Sequence, residues 1–205
     1  MQSGRKLPES IDNPIDNLLL RGCDKLVPPL HRRRITPNQV TIFRIFLGLL
    51  VLGVLFYSRT IALPVLGILL FYTLDCLDGH LARATDQVTE LGDQLDHIAD
   101  VTFFSFVLYY IYSSDFPNKK LIGGLLIVVL YLSCVHMGLQ QQVYNSSKDQ
   151  STDRAKVEQT ELLNRLNLIH PFKSHDIRWS RYFGMGTMAA VVASIVLYIR
   201  INERS

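Results

Sequence analysis

Five hydrophobic runs dominate this sequence of 205 residues and constrain its fold more than any other feature. They cover residues 40–57, 61–74, 101–112, 121–143 and 182–199. A helix that spans a membrane needs about 20 mostly apolar residues. The first, fourth and fifth runs approach that length, whereas the second and third reach it only if their helices continue into the acidic stretch between them. We therefore predict an all-α integral membrane protein, a multi-pass bundle of five to six spanning helices.

The composition agrees with a membrane protein. Charged residues make up 19% of the chain, against about 25% in soluble domains. The alternative, a soluble globule with short buried helices, would show amphipathic periodicity in these runs. The net charge of +3 is too small to indicate a nucleic-acid partner, and three scattered cysteines do not form a disulfide framework or a zinc site. The first 37 residues lack a long apolar run, so we expect no signal peptide.

Lysine and arginine residues indicate how the bundle is oriented. They cluster before the first run and between the fourth and fifth runs, and only Arg59 lies between the first and second. Because basic loops favour the cytoplasmic side, the N-terminus and the loop between the second and third runs should face the cytoplasm. Five spans would leave the C-terminus on the far side. The stretch 158–172 is too polar to provide a sixth span.

The segment 11–30 has the pattern of an amphipathic helix. Asp12 or Asn13 could cap it, with Pro14 at the first helical position. A helix on the membrane surface and a soluble capping helix fit this pattern equally well. We therefore divide the chain into a cytoplasmic N-terminal amphipathic segment, residues 1–35, and a membrane domain, residues 36–205.

The stretch 75–100 is rich in carboxylates. The acidic residues are Asp75, Asp78, Asp86, Glu90, Asp93, Asp96 and Asp100. Asp75 and Asp78 are three residues apart and share one helix face, and Asp96 and Asp100, four apart, share another. Gly79 follows the first pair and Gly92 precedes the second. Two helix ends that meet near these glycines would bring four carboxylates together.

Four carboxylates in one small site cannot all stay ionised without cations, because like charges raise the pKa of each group. Hard divalent ions such as Mg²⁺ or Mn²⁺ take oxygen ligands of this kind, and magnesium usually binds carboxylates together with substrate phosphates. Arg83 could hold a phosphate, and Gly79 and Ala82 leave room for it. A solvated acidic loop is the alternative, but ionisable residues beside spanning helices are costly and usually functional.

The spacing of this stretch follows the pattern D-x2-D-G-x2-A-R-x8-G-x3-D-x3-D at every fixed position. These positions are Asp75, Asp78, Gly79, Ala82, Arg83, Gly92, Asp96 and Asp100. Upstream, residues 36–44 read T-P-N-x-x-T-x-x-R. The sequence, over about residues 36–112, resembles the CDP-alcohol phosphotransferases, integral membrane enzymes of phospholipid synthesis. Such enzymes transfer a substituted phosphoryl group from a CDP-alcohol to a hydroxyl acceptor and release CMP.

The resemblance implies a role for each matching residue. It implies that Asp75, Asp78 and Asp96 bind two divalent cations, Mg²⁺ or Mn²⁺, with Asp100 near or on the second one. It also implies that Asp100 is the general base for the acceptor. The residues expected to hold the CDP moiety are Asn38, Thr41, Asp75, Gly79, Ala82 and Arg83.

The resemblance also implies the partners, which are CDP-diacylglycerol, a hydroxyl acceptor, membrane lipid and a second copy of the chain. We favour a small polyol acceptor, such as inositol or glycerol phosphate. A multi-pass ion transporter or metal-binding membrane protein that uses the same carboxylates is the competing class of function. A non-catalytic membrane scaffold is a third.

The sequence leaves alternative roles open for three further polar residues. Arg44 either snorkels from the first run or contacts a phosphate or the motif carboxylates. His80 is expected to face substrate or to pack, rather than to bind metal. His136 is expected to be a hydrogen-bonded interior residue.

Overall fold

The computed structural model describes residues 4–147 and 176–203, and these are helical apart from their connections, with no strand among them. The helices are α1 (Pro14–Arg32), α2 (Pro37–Tyr57), α3 (Ala62–Ala84), α4 (Glu90–Ser113), α5 (Lys119–Ser147), α6 (Ile177–Ser180) and α7 (Met185–Asn202). A 3₁₀ turn, Arg181–Phe183, joins the last two. The predicted all-α class is confirmed.

Several helices are suited to cross a membrane. Within the described residues, four segments are long and apolar enough, and they are Pro37–Tyr57, Ala62–Ala84, Lys119–Gln140 and Ile177–Asn202. Helix α4 has 24 residues, but its first half carries the acidic residues. The predicted number of five to six spans is therefore approximate. The stretch 158–172 lies outside the described residues.

The second and third hydrophobic runs belong to helices that continue into the acidic stretch, as predicted from the shortness of these runs. Helix α3 continues past the apolar run to Ala84, and α4 begins at Glu90, well before its own apolar half. The Thr89 hydroxyl caps α4 by accepting a hydrogen bond from the Gly92 amide at 3.1 Å. All four motif carboxylates therefore stand on helices rather than in a loop.

Helix α1 is amphipathic and begins as predicted. The Asn13 side chain accepts a hydrogen bond from the Ile15 amide at 2.9 Å, and Pro14 is the first helical residue. Its buried face includes Leu20, Cys23 and Val27. This face packs mainly against α3 and also against α7, so α1 is an integral layer of the bundle.

Small residues set the register between α2 and α3, which run antiparallel. Gly67 lies opposite Val51, where a Cβ would be 2.4 Å from a valine methyl carbon. Gly48 lies opposite Phe71, where a Cβ would be 2.8 Å from the ring. Such glycines let helix backbones approach closely. Arg44 lies one turn before Gly48 on α2, and the same register places it beside the acidic end of α3.

Helix α4 runs parallel to α2 and completes this layer. The Phe71 and Phe103 rings stack with centroids 3.8 Å apart. At the far end of the bundle, the Tyr110 hydroxyl donates to Glu203 at 3.1 Å, and Arg200 donates to the Leu55 carbonyl. The end of α3 and the start of α4 consequently meet beside the start of α2, at the opposite end from these contacts.

Candidate active site

Arg44 lies at the centre of the carboxylate cluster. Its side chain has no exposed surface, and its guanidinium carbon is 5.0 Å from the centroid of the Phe71 ring. Burial of an arginine is costly unless anions surround it. The alternative in which Arg44 contacts the motif carboxylates is the one that the structure shows.

All four motif aspartates contact this guanidinium. Arg44 Nη2 donates to Asp96 Oδ1 at 2.7 Å, and Nη1 donates to Asp75 Oδ1. Nη1 also lies 3.1 Å from Asp100 Oδ1, and Nε lies 3.8 Å from Asp78 Oδ2. The predicted meeting of two carboxylate pairs from two helices is confirmed.

The cluster is closed on one side and open on the other. The Asp78 side chain is 4% exposed, whereas those of Asp75, Asp96 and Asp100 are 22%, 31% and 26% exposed. Thr41 Oγ1 donates to Asp78 Oδ2 at 2.8 Å, which fixes the buried member. One guanidinium balances one of four possible negative charges, so the open side attracts cations.

The donor set fits a divalent cation. Asp75, Asp78 and Asp96 can each present one oxygen, and these three oxygens lie within 4.8 Å of one another. Ligands bound to one Mg²⁺ at about 2.1 Å are at most about 4.2 Å apart, so small side-chain rotations suffice. Carboxylate oxygens are also the ligand type that Mg²⁺ and Mn²⁺ prefer.

The residues expected to line the nucleotide site flank this cluster. Asn38, on the first turn of α2, faces the start of α4, because a Cβ at Gly92 would lie 2.7 Å from its Oδ1. Arg83 folds back over Gly79, where a Cβ would lie 3.1 Å from Nη1. Ala82 is half-buried on the same helix.

His80 has a partner that the sequence did not reveal. Its Nε2 lies 2.8 Å from Asp24 Oδ1 of α1, and the histidine is 1% exposed. This contact supports a packing role for His80 and adds Asp24 to the surroundings of the motif. No spacing rule connects residues 24 and 80, so only the fold could show the contact. His136 is buried, with Nδ1 3.1 Å from Ser180 Oγ, as expected.

A half-buried carboxylate, Asp16, joins α1 to the bundle. The Tyr72 hydroxyl donates to Asp16 Oδ1 at 2.6 Å, and a Cβ at Gly186 would lie 2.2 Å from the same oxygen. Loss of solvent and the negative charges of Asp12 and Asp75 together raise the pKa of Asp16 to about 7, although the hydrogen bond from Tyr72 opposes this shift. Asp16 therefore links α1, α3 and α7 at a single polar contact.

Two comparisons relate this chain to known proteins. A region of the chain is 34% identical over 91 residues to the bifunctional IPC transferase and DIPP synthase of Thermococcus kodakarensis. The match covers 43% of this chain and 20% of that protein, so the chain spans about a fifth of the length of the curated relative it matches. Residues 34–201 match the family described as CDP-alcohol phosphatidyltransferase. The match includes α2, α3 and α4, the helices that carry Arg44 and the four aspartates. The chain belongs to the CDP-alcohol phosphatidyltransferase family.

Proposed function

We propose that this protein transfers a phosphatidyl group from CDP-diacylglycerol to a hydroxyl acceptor and releases CMP. The observation that carries the proposal is the set of four family aspartates gathered from α3 and α4 around the buried Arg44. The family, which generally depends on divalent cations, uses a CDP-alcohol and an alcohol acceptor in the membrane.

The carboxylates would hold two divalent cations, Mg²⁺ or Mn²⁺. Asp75, Asp78 and Asp96 supply oxygens close enough for shared ligation, and Asp100 stands beside them. When bound, the cations would neutralise the diphosphate and stabilise charge on the departing CMP. Arg44 would keep the aspartates gathered before the cations arrive, because it offsets part of their repulsion.

The CDP moiety would lie on the open side of the cluster. Gly79 and Ala82 lack bulky side chains, so a nucleotide can approach the α3 backbone closely. Arg83 would hold a phosphate through two N–H groups. Asn38 and Thr41 would line the same site from α2.

Asp100 would act as the general base. As the acceptor oxygen attacks the β-phosphorus, its proton passes to an Asp100 oxygen, and the bond between that phosphorus and the CMP oxygen breaks. A carboxylate is a weak base for an alcohol, so the proton transfer accompanies the attack. No covalent enzyme intermediate is needed.

The remaining assignments rest on sequence patterns. We propose a small polyol acceptor, such as inositol or glycerol phosphate. Residues 79–80 and 86–89 resemble phosphatidylinositol synthases, whereas the T-P-N sequence at residues 36–38 resembles glycerol-phosphate or cardiolipin-type enzymes. Basic residues near the start of α2 support a cytoplasmic N-terminus and active site. We also propose that residues 1–35 form the cytoplasmic amphipathic segment and residues 36–205 the transferase domain, which acts as a homodimer.

The test is CMP release by purified protein in detergent with Mn²⁺ or Mg²⁺, CDP-diacylglycerol and a panel of acceptors. Asp100→Asn should lower the rate by about 10²–10⁴-fold, the contribution of a general base. Asp93→Asn, the same change at an exposed position of α4, should leave the rate within a few-fold. CMP release with one acceptor would name the product.

Two outcomes would overturn the proposal. One is folded protein that releases no CMP from CDP-diacylglycerol, CDP-choline or CDP-ethanolamine. The other is CMP release that Asp100→Asn and Asp93→Asn affect equally. In the first case, ion flux in proteoliposomes would test the competing transporter function.

A further inference from the structure

A short N-terminal strap, residues 4–7, lies directly against the motif face of α3. Gly4 and Leu7 are buried. The Gly4 carbonyl accepts a hydrogen bond from Arg83 Nε at 2.6 Å. Gly4 also touches His80, because a Cβ at Gly4 would lie 2.5 Å from the His80 carbonyl oxygen and 2.8 Å from its Nδ1.

The strap is held at both ends. Arg5 donates to Asn17 Oδ1 at 2.9 Å and lies 3.4 Å from Asp24 Oδ2, both on α1. Asp24 in turn contacts His80, the neighbour of Gly79. Leu7 packs in a buried cluster with Leu139 of α5 and Ile177 of α6. A backbone segment fixed in this way can hold a side chain in one position.

The geometry of Arg83 shows what the strap does. A guanidinium has five N–H donors in one plane, and a bond through Nε fixes the orientation of that plane. The Nη1 and Nη2 atoms lie over Gly79, 3.1 Å and 3.5 Å from the position of a Cβ there. These are the atoms that bind a phosphate bidentately.

We propose that the Gly4 carbonyl is a positioning group for Arg83 and sets the affinity of the site for the CDP-alcohol. This inference rests on the proposed function, because it takes Arg83 as a ligand of the nucleotide diphosphate. A preoriented arginine loses less conformational entropy when the nucleotide binds. Position 4 requires glycine, because the atom nearest to an added Cβ belongs to the α3 backbone, which cannot move aside.

The test compares Gly4→Ala with Gly22→Ala. A Cβ at Gly22 on α1 meets no atom within 4 Å, so this change is a matched control. Gly4→Ala should raise the KM for CDP-diacylglycerol and the Kd for CMP about tenfold, the value of one charge-assisted hydrogen bond. The kcat should stay within about twofold, because the carboxylates that perform the reaction are untouched.

A double-mutant cycle separates positioning from mere structural support. Lysine lacks Nε, so in an Arg83→Lys background Gly4→Ala should not weaken CMP binding further. The proposal is overturned if Gly4→Ala matches Gly22→Ala, if kcat falls with KM unchanged, or if the Gly4→Ala effect persists fully in Arg83→Lys. Absence of CMP release by the unmodified protein would instead overturn the proposed function, and this inference with it.

Discussion

At the residue scale, the central feature is one buried arginine among four carboxylates. Arg44 offsets the repulsion of Asp75, Asp78, Asp96 and Asp100 and is itself stabilised by them. Removal of one member of a buried ionic cluster leaves uncompensated charge. The resulting loss of stability exceeds the net stability that the intact cluster provides. The same cluster is thus both a structural contact and the candidate metal site.

Arg44→Met should destabilise the protein by about 3–5 kcal/mol, the cost of breaking a buried ion pair. Saturating Mg²⁺ should raise the melting temperature of Arg44→Met more than that of the unmodified protein, because the cations then supply the missing positive charge. Thermal unfolding in detergent, with and without Mg²⁺, measures both effects. Equal Mg²⁺ shifts in the two proteins would contradict a shared site.

The sequence predicted the carboxylate cluster but not all of its surroundings. The four aspartates were identifiable because three- and four-residue spacings define a helix face, and Arg44 was identified with its alternatives open. The contacts of Asp24 and Gly4 with the motif were not, since they join segments more than 50 residues apart. Such contacts depend on how α1 packs, which local spacing does not specify.

At the scale of elements, α1 is held to the bundle by a carboxylate with a raised pKa. The folded pKa of Asp16 is about 7, against an ordinary value of 3.8. Folding therefore favours the protonated form, and the stability that this provides is complete below about pH 4 and is lost as pH rises through about 7. The docking of α1 should weaken accordingly.

Asp16→Asn removes this titration and keeps the shape of the side chain. Between about pH 5 and about pH 8, the melting temperature of the unmodified protein should fall more steeply than that of Asp16→Asn. Thermal unfolding at a series of pH values measures the difference. Parallel curves for the two proteins would show that Asp16 does not titrate in this range.

The close packing of α2 on α3 depends on glycine at position 67. A Cβ there would lie 2.4 Å from a methyl group of Val51, and the Val51 Cβ is 3.2 Å away, so the helices must separate. Gly67→Ala should cost about 1–3 kcal/mol of stability. Gly53→Ala, where a Cβ meets nothing within 4 Å, should be neutral or slightly stabilising in a thermal melt. Equal melting temperatures of the two variants would refute this packing.

The helices were predicted better than their ends. Hydrophobic runs located α2, α5 and α7 directly, because each is apolar over most of its length. The extension of α3 and α4 into the acidic stretch was predicted only with the added condition that a span must reach about 20 residues. The amphipathic pattern predicted α1. It did not predict that α1 packs against α3 and α7, because tertiary packing determines those contacts.

At the scale of the whole molecule, the site stands at one end of the bundle. The loop at Val88 joins α3 to α4 at that end, and Asp115 lies between α4 and α5 at the other. In a variant without native cysteines, Val88→Cys should react with an impermeant thiol reagent from the cytoplasmic side only, and Asp115→Cys from the opposite side only. Labelling of both from one side would contradict the topology.

The most direct test is metal-dependent binding of CMP to the purified protein, followed by calorimetry. Binding should require Mg²⁺ or Mn²⁺, exceed that of UMP, disappear in Asp75→Asn and persist in Asp93→Asn. This result would establish that the carboxylates around Arg44 form a cytidine nucleotide site. Binding that is independent of metal, or that survives Asp75→Asn, would contradict it.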